Sequence, residues 1–404
     1  MTTSGRPSDG TARVRVVGVA ADGSLASPAL VEGAAVVIGA ERHLALLPRV
    51  ADQIRLPYPK PLRDGLVALL AEHPGAVVLA SGDPLISGLG STLIELLGGD
   101  AVEVHPTVSS VTLARAAMGW AAESCAVVTV VGRHPAAVLR ELAPGRRILV
   151  LSSDEHTPGT LARMLTGAGY GNTRMTVLGN LGTPEASRAE ASAEDFAEAV
   201  PRLNIVALEV VGLRVGLGWT AGLPDEAYEH DGQLTKRDLR ASALARLAPT
   251  PGEHLWDVGA GAGSVGIEWM RAHPSCQTTA IEADPERAAR AARNAAALGV
   301  PDLVVVEGRA PAALADLPAP DAIFIGGGAT RPGVLDACLS ALRPGGRLVV
   351  HGVTLETEAL LAGAFQTYGG ELTRISVETT APVGTFTGWT PARAVTQWAY
   401  VVPR

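Results

Sequence analysis

Cysteine and lysine are almost missing from this 404-residue chain. Cys125, Cys276 and Cys338 stand apart with no pair at metal-ligand spacing, which excludes a disulfide frame and gives no zinc site to expect. Lysine occurs only at Lys60 and Lys236, so arginine supplies nearly all the positive charge. Although 47% of the residues are hydrophobic, much of that share is alanine, and no uninterrupted apolar run reaches the ~18 residues of a membrane span. The polar start, residues 1–15, has no apolar signal segment, so the cytoplasm is the expected location and no membrane partner is expected. There is no internal repeat. A net charge of −8 disfavours nucleic-acid binding, which needs a concentrated basic face. A small polyanionic substrate stays open, provided a local arginine or lysine patch receives it.

The length exceeds one ordinary core and favours two domains. Short β-branched runs at residues 14–19, 35–38, 76–80, 102–105, 127–131, 147–151, 175–178 and 205–210 alternate with alanine- and leucine-rich helical stretches. That alternation predicts an α/β first half with a largely parallel sheet in two lobes. Residues 211–232, with five glycines, a proline and clustered acids, break the pattern and read as a linker. Strands are expected again at 255–258, 278–282, 303–307, 322–325 and 347–351, a doubly wound arrangement, followed by an antiparallel hairpin from 372–378 and 394–401. Thr235 and Asp238 form a capping-box-like pair before a helix at Lys236.

The densest glycine pattern is Asp257-Val258-Gly259-Ala260-Gly261-Ala262-Gly263-Ser264-Val265-Gly266, which reads as strand, tight turn and helix. Glycines there let a backbone approach a ligand and present amides at a helix N-terminus. Glu282 ends the next strand, at the distance expected of a ribose-binding acid. Asp257 either meets the ammonium of a methionine-type cofactor or fixes the turn by accepting backbone amides. Asp284 caps the helix opening at Pro285. Arg309 and Ala310 fall where an adenine edge would be read, and Gly326 and Gly327 open the mouth of a substrate site at the carboxyl edge of the sheet.

In the first half the corresponding features are Gly18 after the first strand, Ala80–Gly90 (ASGDPLISGLG) and His105-Pro106-Thr107-Val108-Ser109-Ser110. Asp83, Ser109 and Ser110 either contact a ligand or cap the following helices.

The second half, from Pro224 onward, resembles the class I methyltransferases that use S-adenosylmethionine. Asp231-Gly232-Gln233-Leu234-Thr235-Lys236-Arg237-Asp238-Leu239-Arg240 ahead of the glycine-rich turn narrows the resemblance to a domain that methylates and decarboxylates a precorrin. The first half resembles the tetrapyrrole methylases, a two-lobed class III fold. That resemblance implies cofactor contacts at Gly18, Gly82, Asp83, Leu85, Ser109 and Ser110, and includes the loop 178–185; Ala20-Ala21 stands where many members have Gly-Pro. The expected domains are 12–213 and 223–404, the latter a Rossmann-like seven-stranded fold.

In this order the two halves resemble the bifunctional methyltransferases of corrin-ring assembly. The resemblance implies methylation at ring carbons 5 and 15, loss of carbon dioxide from the acetate on ring carbon 12, one S-adenosyl-L-methionine site per domain, no metal, and a homo-oligomer. Cofactor contacts in the second half are expected from Asp257, Gly259, Gly261, Gly263, Glu282, Arg309 and Ala310. Substrate carboxylates would meet Arg133, His134, Arg237 and Arg240 beside Gly326 and Gly327, and the proton-handling group is expected among His230, Asp231 and Lys236. Two other readings remain: a nicotinamide-dependent oxidoreductase, and a single-activity methyltransferase with a non-catalytic N-terminal binding domain.

Overall fold

The computed structural model describes residues 13–197, 199–212 and 217–404. The expected domain bounds at 12 and 213 lie outside the described residues, as do 1–12 of the polar start and 213–216 of the linker. The chain divides into two compact units, Met1–Gly132 with Gly145–Gly212, and Arg133–Pro144 with Leu213–Arg404.

The first unit holds two five-stranded sheets. One contains β1 (Val14–Val19), β2 (Val36–Gly39), β3 (Ile54–Pro57), β4 (Val77–Ser81) and β5 (Val102–His105), all parallel in the order β3-β2-β4-β1-β5. Its central strands carry near-continuous valine and leucine because helices cover both faces, leaving Val16, Val17, Val77, Val78 and Leu79 fully buried. The second sheet contains β6 (Cys125–Thr129), β7 (Arg147–Leu151), β8 (Arg174–Gly179), β9 (Ser187–Ser192) and β10 (Asn204–Glu209) in the order β6-β7-β10-β8-β9. Only the β6–β7 pairing is parallel there. The largely parallel reading therefore holds for the first sheet and is corrected for the second.

The second unit is built on β11 (His254–Val258), β12 (Gln277–Glu282), β13 (Val304–Glu307), β14 (Ala322–Ile325), β15 (Arg347–Gly352) and β16 (Glu371–Ile375), with β17 (Glu378–Val383), β18 (Phe386–Pro391) and β19 (Val395–Val401) following. Seven strands make one sheet in the order β13-β12-β11-β14-β15-β19-β16, parallel as far as β15, with β19 antiparallel between β15 and β16. β16 and β19 pair as expected, but they are not a simple hairpin: β17 and β18 form a separate antiparallel ribbon between them. Its side chains are mostly solvent-facing, so it lacks the apolar alternation that marks a half-buried strand.

The linker-like segment before the first helix of this unit is held by side chains. Glu268, mid-way along the helix Ser264–Ala272, accepts hydrogen bonds from the amides of Gly222 (2.6 Å) and Leu223 (3.0 Å) and from the Tyr228 hydroxyl (2.9 Å). Arg240, with no exposed surface, pairs with Glu268, donates to the carbonyls of Thr235 and Leu223, and lies over the Tyr228 ring. The expected capping box is absent: Lys236 is the N-cap of the helix Arg237–Leu247, and no side chain caps it. Thr235 instead contributes its carbonyl to Arg240.

Replacing Glu268 by glutamine leaves the buried Arg240 with only the more distant Asp225, at 3.3 Å, as counter-ion. We expect the second unit to lose about 3–5 kcal/mol, read as a lower denaturant midpoint, whereas Arg237→Gln on the exposed side of the same helix moves it by no more than ~0.5 kcal/mol. Equal midpoints for Glu268→Gln and wild type would show that the cluster does not hold the segment.

Candidate functional site

In the second unit a cavity of ≈ 420 Å³ opens at the carboxyl edge of the sheet. One side is the glycine-rich turn between β11 and the helix Ser264–Ala272. Gly259 sits at φ +71°, and a Cβ there would lie 3.0 Å from both N and O of Gly327, so two backbone loops meet where a side chain has no room. Glu282 ends β12 and accepts the amides of Gly261 (2.8 Å) and Asp284 (3.0 Å) with separate oxygens. An ionised carboxylate has about four lone-pair sites, so capacity remains for hydroxyl donors. Asp284 caps the next helix as expected, accepting from Glu286 N (2.9 Å) and Arg287 N (3.1 Å).

Of the residues expected from sequence, the cavity wall contains Gly259, Gly261, Glu282, Arg309, Ala310, Gly326, Gly327 and Lys236. Lys236 lies 3.6 Å from Asp225 and is half exposed. Asp257 and Gly263 are not in the wall. Asp257 is buried behind the turn, where Oδ2 accepts the Gly266 amide at 2.9 Å, the turn-fixing alternative. Gly263 is the N-cap of the following helix.

The expected substrate arginine Arg240 is corrected outright: it is enclosed, and its guanidinium is committed to Glu268, Thr235 and Leu223. Arg237 is exposed outside the wall, its stem near Gly222. Asp231 lies outside the wall. The Gln233 amide first, then Arg287 and Arg290, hold its carboxyl well below the usual range, so it stays ionised. His230 accepts the Gly232 amide through Nδ1 (3.0 Å) and lies outside the wall. Arg133 and His134 are exposed, and His134 Nδ1 accepts the Ala136 amide; neither lines this cavity.

Three wall residues with ionisable side chains escaped sequence reading: Arg287, Arg331 and His351. His351 is the penultimate residue of β15, so the rule that ligands gather at parallel-strand carboxyl ends would have found it. Its Nε2 lies 2.9 Å from Gln397 Oε1, and its ring meets Phe324 edge-on at 5.0 Å. Burial pushes its pKa down to about 4, keeping the imidazole neutral. Arg331 follows the triple glycine, and Arg287 lies one turn into the helix capped by Asp284.

The first unit brings its expected residues together at the carboxyl ends of β1, β4 and β5. A Cβ on Gly18 would collide with the Gly82 carbonyl and lie 2.8 Å from Thr107 N, so only glycine lets the three loops cross. Gly82 N donates to Val19 O (2.8 Å), and Thr107 donates to Gly82 O through both N (3.2 Å) and Oγ1 (3.0 Å). Asp83 accepts the Leu85 amide (2.8 Å) without capping the helix, which begins only at Leu89. Ser109 caps the next helix by accepting Thr112 N (3.1 Å), and Ser110 is exposed beside it. Ala21 in the first loop approaches Gly182, whose added Cβ would lie 2.9 Å from it, so the loop 178–185 closes over the step that replaces Gly-Pro.

Among the described residues no group of histidine, cysteine and acidic side chains is placed to hold a metal ion, and no helix is long and apolar enough to cross a membrane.

Residues 24–197 match the family of Tetrapyrrole (Corrin/Porphyrin) Methylases, and residues 226–402 match the Precorrin methyltransferase domain. A Sinorhizobium sp protein named precorrin-6Y C(5,15)-methyltransferase (decarboxylating) is 45% identical over 394 residues, 95% of each chain. A Mycobacterium tuberculosis protein of the same name is 44% identical over 389 residues, 95% of this chain and 98% of its own. A Salmonella typhimurium cobalt-precorrin-6B C(15)-methyltransferase (decarboxylating) is 38% identical over 124 residues, 30% of this chain and 64% of its own.

Burial raises the Asp257 carboxyl to about 7, against the Gly266 hydrogen bond and with help from the charge of Glu282. The folded chain therefore holds this proton more tightly than the unfolded one. The resulting stability is complete below about pH 4 and is lost as pH rises through about 7. Asp257→Asn keeps an acceptor for Gly266 and cannot ionise. Its unfolding temperature relative to wild type should rise between pH 5 and pH 8, and a difference that stays constant across that range would refute the assignment.

Proposed function

The chain belongs to the family of precorrin-6Y C(5,15)-methyltransferases (decarboxylating), and on that premise we propose that it methylates precorrin-6B at ring carbons 5 and 15 and removes the carboxyl of the acetate on ring carbon 12, giving precorrin-8X. Residues 12–213 carry the carbon-5 transfer; residues 223–404 carry the carbon-15 transfer and the decarboxylation. The observation that supports this most strongly is that one chain holds two separate sets of glycine-crowded loops, each at the carboxyl edge of parallel strands and the second lining a cavity, and that relatives named for both methylations match it along nearly its whole length.

S-adenosyl-L-methionine supplies an activated methyl group to each crevice. In the second unit the Glu282 carboxylate receives the ribose hydroxyls, while Gly308, Arg309 and Ala310 border the adenine. In the first unit Gly18, Gly82, Asp83, Leu85, Ser109 and Ser110 surround the corresponding ligand. Lys236, Arg309 and Arg331 hold the acidic side chains of the macrocycle over Gly326 and Gly327. Alignment and exclusion of water supply most of the rate, because the reduced macrocycle is itself the nucleophile and the electron sink.

The proton ledger fits the wall of the second cavity. Methyl transfer from a sulfonium to a ring carbon releases one proton, and replacing the acetate carboxyl by hydrogen takes one up. The pair of steps is neutral overall and needs one group to hold a proton between them. Of the residues expected to handle the proton, Lys236 is the one in the wall and is placed to carry it.

Incubation with precorrin-6B and methyl-labelled cofactor should give a product that has gained two labels and lost the mass of one carbon dioxide; a single label would overturn the bifunctional reading. Calorimetry with S-adenosylhomocysteine should find two sites per chain and none for NADH. Glu282→Gln presents a donor to amides that are themselves donors, and should weaken one of the two sites about 10–100-fold while sparing the other.

A further inference from the structure

The first unit carries a cationic group beside its proposed cofactor loops that the reading above does not use. Arg42 is exposed at the start of the short helix Glu41–Leu46, immediately after β2, and β2 is the sheet neighbour of β4. Its NH2 donates to Ser81 Oγ at 2.7 Å. Ser81 is the last residue of β4 and leads directly into Gly82 and Asp83, so the guanidinium is tethered one residue from the cofactor loop.

The tether has a second layer. Ser81 Oγ lies 3.3 Å from Nε2 of His43, which is 94% enclosed beneath it by its 6% exposure. Burial, followed by the charge of Arg42, brings His43 down to about 4, so its ring is neutral. With Arg42 donating into the Ser81 oxygen, the Ser81 O–H is free to donate to His43 Nε2. The chain Arg42 to Ser81 to His43 thus fixes the direction of the guanidinium. Tyr58, partly buried with its hydroxyl on the Leu79 carbonyl, braces the same end of β4.

The orientation leaves most of the fork unspent. A guanidinium has five N–H donors, and the hydrogen bond to Ser81 uses one of them. No carboxylate among the described residues pairs with Arg42, and of the arginines of this unit without an acid partner it is the one hydrogen-bonded to the end of β4. The loops that follow β4 and β5 expose Leu85, Ile86 and Val108, giving this edge an apolar surface beside the fixed cation. Exposed apolar side chains next to an oriented, unpaired guanidinium match a flat ring fringed with carboxylates.

We propose that Arg42, oriented by Ser81 and His43, anchors a carboxylate side chain of the macrocycle in the carbon-5 methylation site and so sets which edge of the ring faces the methyl donor. The inference rests on the two-site reading given above, and it concerns substrate binding in the first unit alone. The second unit acts as an internal reference within the same polypeptide.

The test uses the full-length protein and its variants Arg42→Met, Arg42→Lys and Ser81→Ala, with carbon-5 methylation, carbon-15 methylation and decarboxylation followed separately by mass spectrometry. Arg42→Met should raise KM for carbon-5 methylation about 10–100-fold with kcat changed far less. Arg42→Lys should recover part of that loss, and Ser81→Ala should raise KM by a smaller factor. Carbon-15 methylation, decarboxylation and the affinity for S-adenosylhomocysteine at both sites should stay within about twofold. An unchanged carbon-5 KM in Arg42→Met would overturn the proposal. So would a matching loss of S-adenosylhomocysteine affinity, because Arg42 would then serve the carboxylate of the cofactor. Absence of carbon-5 methylation in the wild-type protein would instead defeat the two-site reading itself.

Discussion

The cavity of the second unit depends on one buried acid. Residues 217–236 have no strand or long helix of their own, so no backbone ladder fixes them, and Glu268 does so by taking two of their amides, the Tyr228 hydroxyl and the Arg240 guanidinium. Two further attachments finish the task. Asn294 accepts the Glu229 amide and donates to the carbonyls of Glu229 and Ala262, tying the segment to the glycine-rich turn itself. Asp231 binds Arg287 and Arg290 on the same helix as Asn294. The wall from Gly232 to Lys236 is thereby set against the turn by groups of which only Arg287 lines the cavity. Such a node is costly to break from one side, since each partner would be left charged and dry.

The two units solve a common problem in different ways. Both must bring polar groups close to an adenosine-type ligand at the carboxyl ends of parallel strands. The first does it by crossing three backbone loops at Gly18, Gly82 and Thr107, which leaves no space for a side chain at the crossing. The second also crowds two loops, at Gly259 and Gly327, and adds the Glu282 carboxylate as a bridge, with two backbone amides on one side and free acceptor capacity on the other. Both solutions place a tolerance limit on glycine geometry, and the second adds one on the charge of a single acid.

Local spacing was legible in the sequence. The strand, turn and helix around Gly259 to Gly266, the acid ending β12 and the cap at Asp284 all follow from residues within a few positions of one another. What escaped depends on distant partners. Arg237 and Arg240 are identical in type and one helical turn apart, yet one is exposed and the other sealed against Glu268, 28 residues on. Asp257 read equally well as a ligand group or a turn support, and only the position of Gly266 decides between them. The ribbon β17–β18 could not be found by hydrophobic alternation because it buries almost none of its side chains.

The chain is acidic overall, at −8, while its proposed substrate is a polyanion. The wall of the second cavity resolves that conflict locally. It contains Lys236, Arg287, Arg309 and Arg331 against a single carboxylate, Glu282. At physiological ionic strength charges on the exposed surface are screened beyond about 8 Å, so an approaching acid feels the wall at close range more than the net charge of the whole protein. Arg287 is partly neutralised by Asp231, at 2.8 Å, which leaves Arg309 and Arg331, neither of them paired with an acid among the described residues, as the dominant cations. Both lie in loops at the carboxyl ends of parallel strands, following β13 and β14, and not in the segment before the glycine-rich turn where sequence reading placed the carboxylate contacts. Their loops are also the ones that carry Gly308 and the triple glycine, so the residues that make room for a ring are contiguous with those that attract its acidic fringe. Shape and charge at this edge are therefore set by the same two short loops.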